Sequence, residues 1–319
     1  MATTARPRVI AIEEHYIDAE LSARMGRDAG GGILRERLES LGDLRLKDMD
    51  AAGIDMQVLS HLSPSTQRLD AAESIRLARG ANDRLAAAIA AHPDRLAAFA
   101  AIPTPDPKAA ADELERTVTK LGFKGAMVHG MTNGVFFDDR RFWPIFERAQ
   151  ALDVPVYLHP APPHPAVTEV YYKEYVADFP TLTGPAWGFA VETGTQAVRM
   201  VLSGVFDRYP DLKIMLGHLG EGVPFMLWRL DHSLNRPGGK SIAFRDTFCD
   251  RFWITTSGNF SDPALQCCLM EMGADHVMFS VDWPLVMNAP ATDWLTRLQL
   301  APADKAKIMG GNAARLLKL

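Results

Sequence analysis

The chain has 319 residues, of which 47% are hydrophobic, and a formal net charge of −5. This balance supports a large core and gives no reason to expect a nucleic acid or an anionic membrane as a partner. The chain has three cysteines, two of them adjacent, which imply no disulfide framework and favour a reducing cytoplasm. A carboxylate pair lies where a signal peptide needs apolar residues, and no stretch approaches about 18 uninterrupted apolar residues, so we expect a cytoplasmic protein without a membrane span.

Eight apolar runs of strand length alternate with helical patterns along the chain. The predicted strands cover residues 9–13, 56–61, 96–102, 125–130, 154–159, 213–220, 252–258 and 276–281. The predicted helices cover residues 46–52, 70–91, 107–121, 140–152, 187–208, 221–232, 263–272, 292–299, 302–309 and 312–317. Eight strand-then-helix units predict an α/β fold, a (β/α)8 TIM barrel in a single domain over residues 1–319. The alternative is a doubly wound open sheet, which ordinarily has fewer strands.

Two connections between predicted elements depart from this alternation of strands and helices. The first strand is followed by a long polar stretch that contains Gly26, Gly30, Gly31 and Gly32. Residues 160–185, after the fifth strand, contain too many prolines for a regular element. A long loop after a barrel strand is usually a functional lid or wall, so we expect this proline-rich insertion at the mouth of the barrel.

Five acidic or imidazole side chains lie at the ends of predicted strands: Glu13, His15, His159, His218 and Asp282. All strand carboxyl ends of a parallel barrel open onto one face, so these residues should converge there. Glu13 and His15 are two apart on an extended strand and therefore point to the same side. Mixed nitrogen and oxygen donors suit zinc or manganese comparably. The pattern predicts a mononuclear metal site.

Each of these signals is weak by itself. The histidine at the end of the fifth strand could be a satisfied hydrogen-bonding residue, and the Glu-Glu-His triplet could be a polar strand edge. Glu221 follows His218 by three residues and could fix its tautomer, or could be an ordinary acid in the first turn of a helix. His61 and His129 also fall at strand ends and could line the same mouth. The joint placement of the signals favours the metal site.

Together the motifs resemble those of the amidohydrolase superfamily, in the branch of the non-oxidative aromatic acid decarboxylases. The segments that carry the resemblance are EEH, DVPVYLHPAPP, LKIMLGHLGEGVPFMLWRLDH, ITTSGNF and MFSVDWP, between about residue 8 and the terminal GGNAARLLKL. The pattern is most similar to γ-resorcylate and 2,3-dihydroxybenzoate decarboxylases, and less similar to aminocarboxymuconate semialdehyde decarboxylase. The first strand carries Glu-x-His instead of the His-x-His of the hydrolases, which favours decarboxylation.

The resemblance implies one divalent ion, Zn2+ or Mn2+, and a homo-oligomer, a dimer or a tetramer. The strand-four run GAMVHG contains no lysine, which disfavours a binuclear site. The residues implied as metal ligands are Glu13, His15, His159 and Asp282. The residues implied as catalytic are Asp282, His218 and Glu221.

The implied substrate is a small ortho-hydroxylated aromatic carboxylate. Asp282 would protonate the ring carbon before carbon dioxide leaves, and His218, held by Glu221, would handle protons beside it. Phe189 or Trp187 would form an aromatic wall, and His61 would contact the substrate. The alternative is a hydrolase of a lactone, ester or amide that uses a metal-bound water. A third hypothesis is a non-catalytic binding protein, but charged residues at four strand ends are not expected in such a protein.

Overall fold

The computed structural model describes residues 6–24, 31–236 and 239–319. The strands within these ranges are β1 (Ile10–Tyr16), β2 (Met56–His61), β3 (Leu96–Ala98), β4 (Ala100–Ala101), β5 (Ala126–His129), β6 (Val156–His159), β7 (Ile214–Leu216), β8 (Asn235–Arg236), β9 (Lys240–Ser241), β10 (Phe252–Thr255) and β11 (Val277–Met278). One parallel sheet has the order β1-β2-β3, and a second has the order β4-β5-β6-β7-β10-β11. Strands β8 and β9 form a small antiparallel hairpin apart from both sheets.

The two parallel sheets form one TIM barrel, which confirms the predicted fold. The third predicted strand is divided at Phe99 into β3 and β4. The backbone N–H of Phe99 donates to Leu59 of β2, and the next N–H, from Ala100, donates to Gly125 beside β5. The chain therefore changes its pairing partner at this point and joins the sheets. On the opposite side, the backbone N–H of His15 in β1 donates to Trp283, just after β11, at 2.7 Å.

The described α-helices surround the barrel. Their ranges are α1 (Ala19–Ser22), α2 (Gly32–Glu39), α3 (Asp43–Ala52), α4 (Ala71–Ala90), α5 (Pro107–Leu121), α6 (Trp143–Ala151), α7 (Pro165–Val167), α8 (Gly188–Leu202), α9 (Val205–Arg208), α10 (Val223–Ser233), α11 (Phe244–Arg251), α12 (Asp262–Met272), α13 (Asn288–Arg297), α14 (Pro302–Ala306) and α15 (Asn312–Leu317). Short 3-10 turns cover Arg140–Phe142 and Ala274–His276, and π-helical turns cover Thr168–Tyr172 and Lys307–Gly311. None of the described helices is long and apolar enough to cross a membrane.

Several predicted elements differ from the observed ones. The proline-rich insertion is not irregular throughout, because α7 and a π-helical turn lie within it. The predicted helix over residues 187–208 is two helices, since Gly204 adopts a left-handed φ of 81° between α8 and α9. The polar connection after β1 contains the unpredicted helices α1 and α2, while Gly26 and Gly30 lie outside the described residues.

The barrel interior is apolar at its amino-terminal end and polar at its carboxyl-terminal end. Ile10, Ile12 and Val58 pack inside it with Leu316 and Leu317 of α15, which close that end. Strand β1 carries a β-bulge between Ala11 and Glu14, where its register against β2 shifts by one residue. A bulge reverses the alternation of side chains that follow it. It therefore allows the interior side of β1 to continue from these isoleucines into the polar residues of the mouth.

Candidate metal centre and active site

Four predicted side chains converge at the carboxyl-terminal mouth of the barrel. Nε2 of His15 lies 3.1 Å from Asp282 Oδ1 and 3.1 Å from Nε2 of His159, which is itself 3.2 Å from Glu13 Oε1. One donor atom from each of the four residues lies within 4.8 Å of every other. Glu13, His15 and His159 are buried, and the side chain of Asp282 is 13% exposed. The structure therefore brings together side chains separated by up to 269 positions of the sequence, from Glu13 to Asp282.

The hydrogen bonds of these four residues leave a set of donor atoms that fits one divalent cation. Glu13 Oε1 and Asp282 Oδ1 are buried and accept no hydrogen bond. His159 Nδ1 lies 2.7 Å from the backbone oxygen of Pro160, so this nitrogen carries the proton and Nε2 keeps its lone pair. Buried oxygens without a donor are costly unless a cation binds them. Two imidazole nitrogens and two carboxylate oxygens are ligands suited to zinc or manganese.

The electrostatics of the group follow from its burial and its mixed charges. Burial, with the neighbouring His15, places the pKa of His159 well below its usual value, so its ring is neutral. Burial also raises the pKa of Glu13. Although burial alone would raise the pKa of Asp282, the neighbouring imidazoles of His15 and His218 hold it below its usual value. A cation at the centre would counter the cost of burying these carboxylates.

The second oxygen of Glu13 is held by hydroxyl groups. Tyr157 and Ser257 donate hydrogen bonds to Glu13 Oε2, and Thr255 lies 3.5 Å from the same oxygen. Gly217 leaves room for this arrangement, since a Cβ atom at that position would lie 2.5 Å from Oε2. The hydroxyl groups therefore leave Oε1 as the oxygen that faces the other donors. We did not predict these residues, although Tyr157 is two before His159 on β6 and so shares its side of the strand.

Replacing Tyr157 by phenylalanine is expected to weaken divalent-cation binding about 10-fold or more, as for other partners that orient metal ligands. The phenol donates to Glu13, and its loss leaves that carboxylate less well oriented. Calorimetric titration of metal-free protein with Mn2+ measures the effect. Tyr209→Phe is the matched control, because this buried tyrosine packs against Trp143, outside the site. Equal affinities in the two variants would contradict the assigned role of the phenol.

His218 and Glu221 form a pair beside the four donors. His218 Nδ1 lies 2.8 Å from Glu221 Oε1, and its Nε2 lies 3.9 Å from Asp282 Oδ2. Burial alone would lower the pKa of His218, but the charges of Glu221 and Glu13 hold it well above its usual value. The two oxygens of Asp282 therefore face different partners, since Oδ1 is directed to His15 and Oδ2 to His218.

The turn that carries this pair is left-handed throughout. Residues 218–222 all have positive φ, including 50° at His218 and 55° at Glu221. Non-glycine residues adopt this region only when the surroundings impose it, often at functional sites. The predicted helix over residues 221–232 begins instead at Val223 as α10. Glu221 lies outside it, so the interpretation of this residue as an ordinary first-turn helix acid is wrong.

The remaining predicted residues make other contacts. Both ring nitrogens of His61 are engaged by backbone, Nε2 by the N–H of Asp18 at 3.1 Å and Nδ1 by Leu62 O at 2.9 Å. The ring of His129 packs edge-on against His159 with 4.7 Å between ring centres. Phe189 is half-buried in the first turn of α8, and its backbone N–H donates to the backbone oxygen of Gly184 at 3.0 Å. Trp187 is 56% exposed.

Comparison with known proteins agrees with this geometry. The amidohydrolase family model matches residues 12–319. The chain is 41% identical to the γ-resorcylate decarboxylase of Polaromonas sp. (strain JS666) and 40% identical to that of Rhodococcus jostii (strain RHA1). Each alignment covers 97% of this chain and 98% of the relative. The crystal structure of the dihydroxybenzoic acid decarboxylase of Polaromonas sp. JS666, with manganese and the inhibitor 2-nitroresorcinol, superposes with a TM-score of 0.90.

That structure is 41% identical in sequence, and the match covers 98% of both chains. The family model spans almost the whole chain, and the closely similar relatives are covered nearly end to end. The resemblance seen in the sequence motifs is thereby confirmed. The chain belongs to the amidohydrolase family, in the branch that contains the γ-resorcylate decarboxylases.

Proposed function

We propose that this chain is a metal-dependent, non-oxidative decarboxylase of a small ortho-hydroxylated aromatic carboxylate such as a dihydroxybenzoate. The observation that carries the proposal is the donor group of Glu13, His15, His159 and Asp282, with His218 against the outer oxygen of Asp282. The decarboxylase relatives support it, and the manganese in the Polaromonas structure supports a divalent ion. We assign one ion, manganese or zinc, to the four donors.

Such an ion supplies a fixed positive charge that attracts and orients the oxygen atoms of an anionic substrate. The protein residues then have to deliver one proton to the ring carbon that bears the carboxylate. When this carbon is protonated, the bond to the carboxylate breaks, its electrons return to the ring and carbon dioxide leaves. Protonation first avoids an aryl carbanion, which is the difficult intermediate of this reaction.

The arrangement of Asp282 and His218 is suited to this proton delivery. The charges of Glu221 and Glu13 raise the pKa of His218, which favours a proton on its ring. Asp282 Oδ2 lies 3.9 Å from His218 Nε2 and can take up that proton with a small movement. We assign Asp282 as the acid that protonates the ring carbon, His218 as its proton source, and Glu221 as the residue that orients His218.

We further assign Phe189 and His61 to the wall of the substrate site. His61 can contact a substrate only through its ring carbons, because backbone groups occupy both nitrogens. We also propose that the chain acts as one catalytic domain, in a cytoplasmic homo-oligomer, a dimer or a tetramer, without nucleic acid or membrane as a partner.

The test is incubation of the metal-loaded protein with a panel of hydroxybenzoates in heavy water. Decarboxylation releases carbon dioxide and places deuterium at the vacated ring carbon. A hydrolase with the same donors would use Asp282 as a base toward a metal-bound water, and would cleave lactones, esters or amides without gas release. Hydrolysis in the absence of carbon dioxide release would reverse the assignment.

Replacing Glu221 by glutamine is expected to lower kcat by about 10- to 100-fold, which is at or below the lower end of the roughly 10²–10⁴-fold attributed to positioned proton transfer, because Glu221 acts only through His218. The amide keeps the shape of the side chain but removes the charge that holds the proton on His218. The Michaelis constant should change little, since Glu221 is not assigned to substrate binding. Steady-state kinetics measures the split, with Glu147→Gln on helix α6 as a control. An unchanged kcat would contradict this role for Glu221.

A further inference from the structure

The seam between the last and the first barrel strand lacks the hydrogen-bond ladder that joins the other neighbours. Within the described ranges β1 pairs only with β2, and β11 pairs only with β10. Three of the four donor residues nevertheless lie at this seam, namely Glu13 and His15 on one side and Asp282 on the other. The separation of His15 and Asp282 therefore has to be fixed by something other than regular strand pairing.

Glu14, which lies between two donor residues in the sequence, spans this seam. One carboxylate oxygen accepts the backbone N–H of Val281 at 2.9 Å, and the other accepts that of Trp283 at 2.9 Å. These N–H groups flank Asp282, whose φ of 77° is left-handed. Glu14 thus holds the residues on both sides of Asp282 in a conformation that a non-glycine residue rarely adopts.

Ser280 and Arg45 complete the same connection. Ser280 Oγ donates to Glu14 at 3.1 Å and accepts the backbone N–H of Glu13 at 2.6 Å. The buried guanidinium of Arg45 donates to the backbone oxygen of His15 at 2.6 Å and lies 4.2 Å above the Trp283 ring. Its positive charge also interacts with the Glu14 carboxylate. These side chains, together with the one backbone hydrogen bond from His15 N–H to Trp283, therefore take the place of a ladder and connect the two strands that carry the donors.

We infer that Glu14 is a positioning residue that sets the spacing of His15 and Asp282, and through it the affinity for the divalent ion. The inference rests on the proposed metal site, but not on the reaction carried out there. Glu14 itself is not a member of the donor group, because both of its oxygens accept hydrogen bonds from the backbone of Val281 and Trp283.

The test compares Glu14→Gln with wild-type protein in the absence of any substrate. A glutamine presents an amide NH2 to one of the two backbone N–H groups, so one buried donor loses its acceptor. We expect Mn2+ affinity to fall about 10-fold or more, as for other groups that orient metal ligands. Hydrogen exchange of the segment 279–284 in metal-free protein should become faster, because its amides are less well held.

Two further variants keep the test decisive. Glu113→Gln alters another buried carboxylate, which accepts hydrogen bonds from Asn82 and Arg116 away from the site, and should leave Mn2+ affinity unchanged. Ser280→Ala removes the uncharged hydroxyl that links Glu14 to the backbone of Glu13. It should also lower the Mn2+ affinity. If Glu14→Gln does not fold, Ser280→Ala tests the inference in its place.

The possible results distinguish failure of this inference from failure of the metal site and from failure of the proposed function. Unchanged Mn2+ affinity in a folded Glu14→Gln or Ser280→Ala protein overturns the inference, even if the amides exchange faster. Equal losses in the Glu113 control would also overturn it, because the effect would then be a general loss of stability. A wild-type protein that binds no divalent ion would remove the inference together with the metal centre. A metal-loaded protein that releases no carbon dioxide would contradict the proposed function alone.

Discussion

Asp282→Asn is expected to reduce kcat/KM by about 1,000-fold or more, since a positioned acid contributes about 10²–10⁴-fold and a metal ligand is altered as well. The amide cannot carry a proton from His218 to the ring carbon, although its shape preserves the packing. The effect should persist when Mn2+ is raised until the variant is fully loaded, because occupancy does not restore the acid. Steady-state kinetics with a dihydroxybenzoate, together with metal analysis, measures both quantities.

Asp293→Asn is the matched control for this prediction. Asp293 is an exposed aspartate on α13, and none of its described side-chain contacts involves the site. It should retain wild-type activity and metal content. If Asp282→Asn recovered most of its activity once loaded with metal, Asp282 would be a ligand without a role in proton transfer.

Removal of the divalent ion is expected to abolish activity and to lower the melting temperature. The donor group buries two carboxylates whose facing oxygens accept no hydrogen bond, so the metal-free site carries a cost that the bound ion relieves. A ligand present at 100 times its dissociation constant stabilises the folded state by about 2.7 kcal/mol. At about 2.1 cal/mol/K of unfolding entropy per residue, that corresponds to a rise of roughly 4 °C in the melting temperature of a 319-residue chain.

Dialysis against a chelator, followed by stepwise return of Mn2+ or Zn2+, tests this prediction. Activity and melting temperature should recover together and reach a plateau near one ion per chain. His159→Ala should show little or no thermal response to the added ion, because one imidazole donor is gone. Full activity in protein without measurable metal would refute the assigned chemistry.

The positions of the strands and donors could be predicted because they depend on local patterns. Apolar runs of strand length mark the eight barrel strands, and the polar residue after each run lies near the mouth in any parallel barrel. The helix boundaries that we predicted wrongly depend on the backbone conformation of a few residues. The left-handed glycine at residue 204 divides a helical pattern that is otherwise continuous, and the left-handed turn at residues 218–222 delays the start of α10.

The sequence by itself determined which residue types arrive at the mouth of the barrel: two carboxylates, two imidazoles and the His218–Glu221 pair. Strict alternation along β1 would nevertheless place Glu13 and His15 on the opposite side from Ile10 and Ile12. The bulge after Ala11 reverses that alternation, and only the register between β1 and β2 reveals it.

The tertiary structure alone decided how these donors are held. Hydroxyl groups from β6 and from the end of β10 turn one oxygen of Glu13 away from the centre, while Glu14 fixes the backbone around Asp282 across a seam without a ladder. The residues involved are up to 269 positions apart, from Glu14 to Trp283. Their contacts arise from closure of the barrel, which brings strand ends together irrespective of their separation in the sequence.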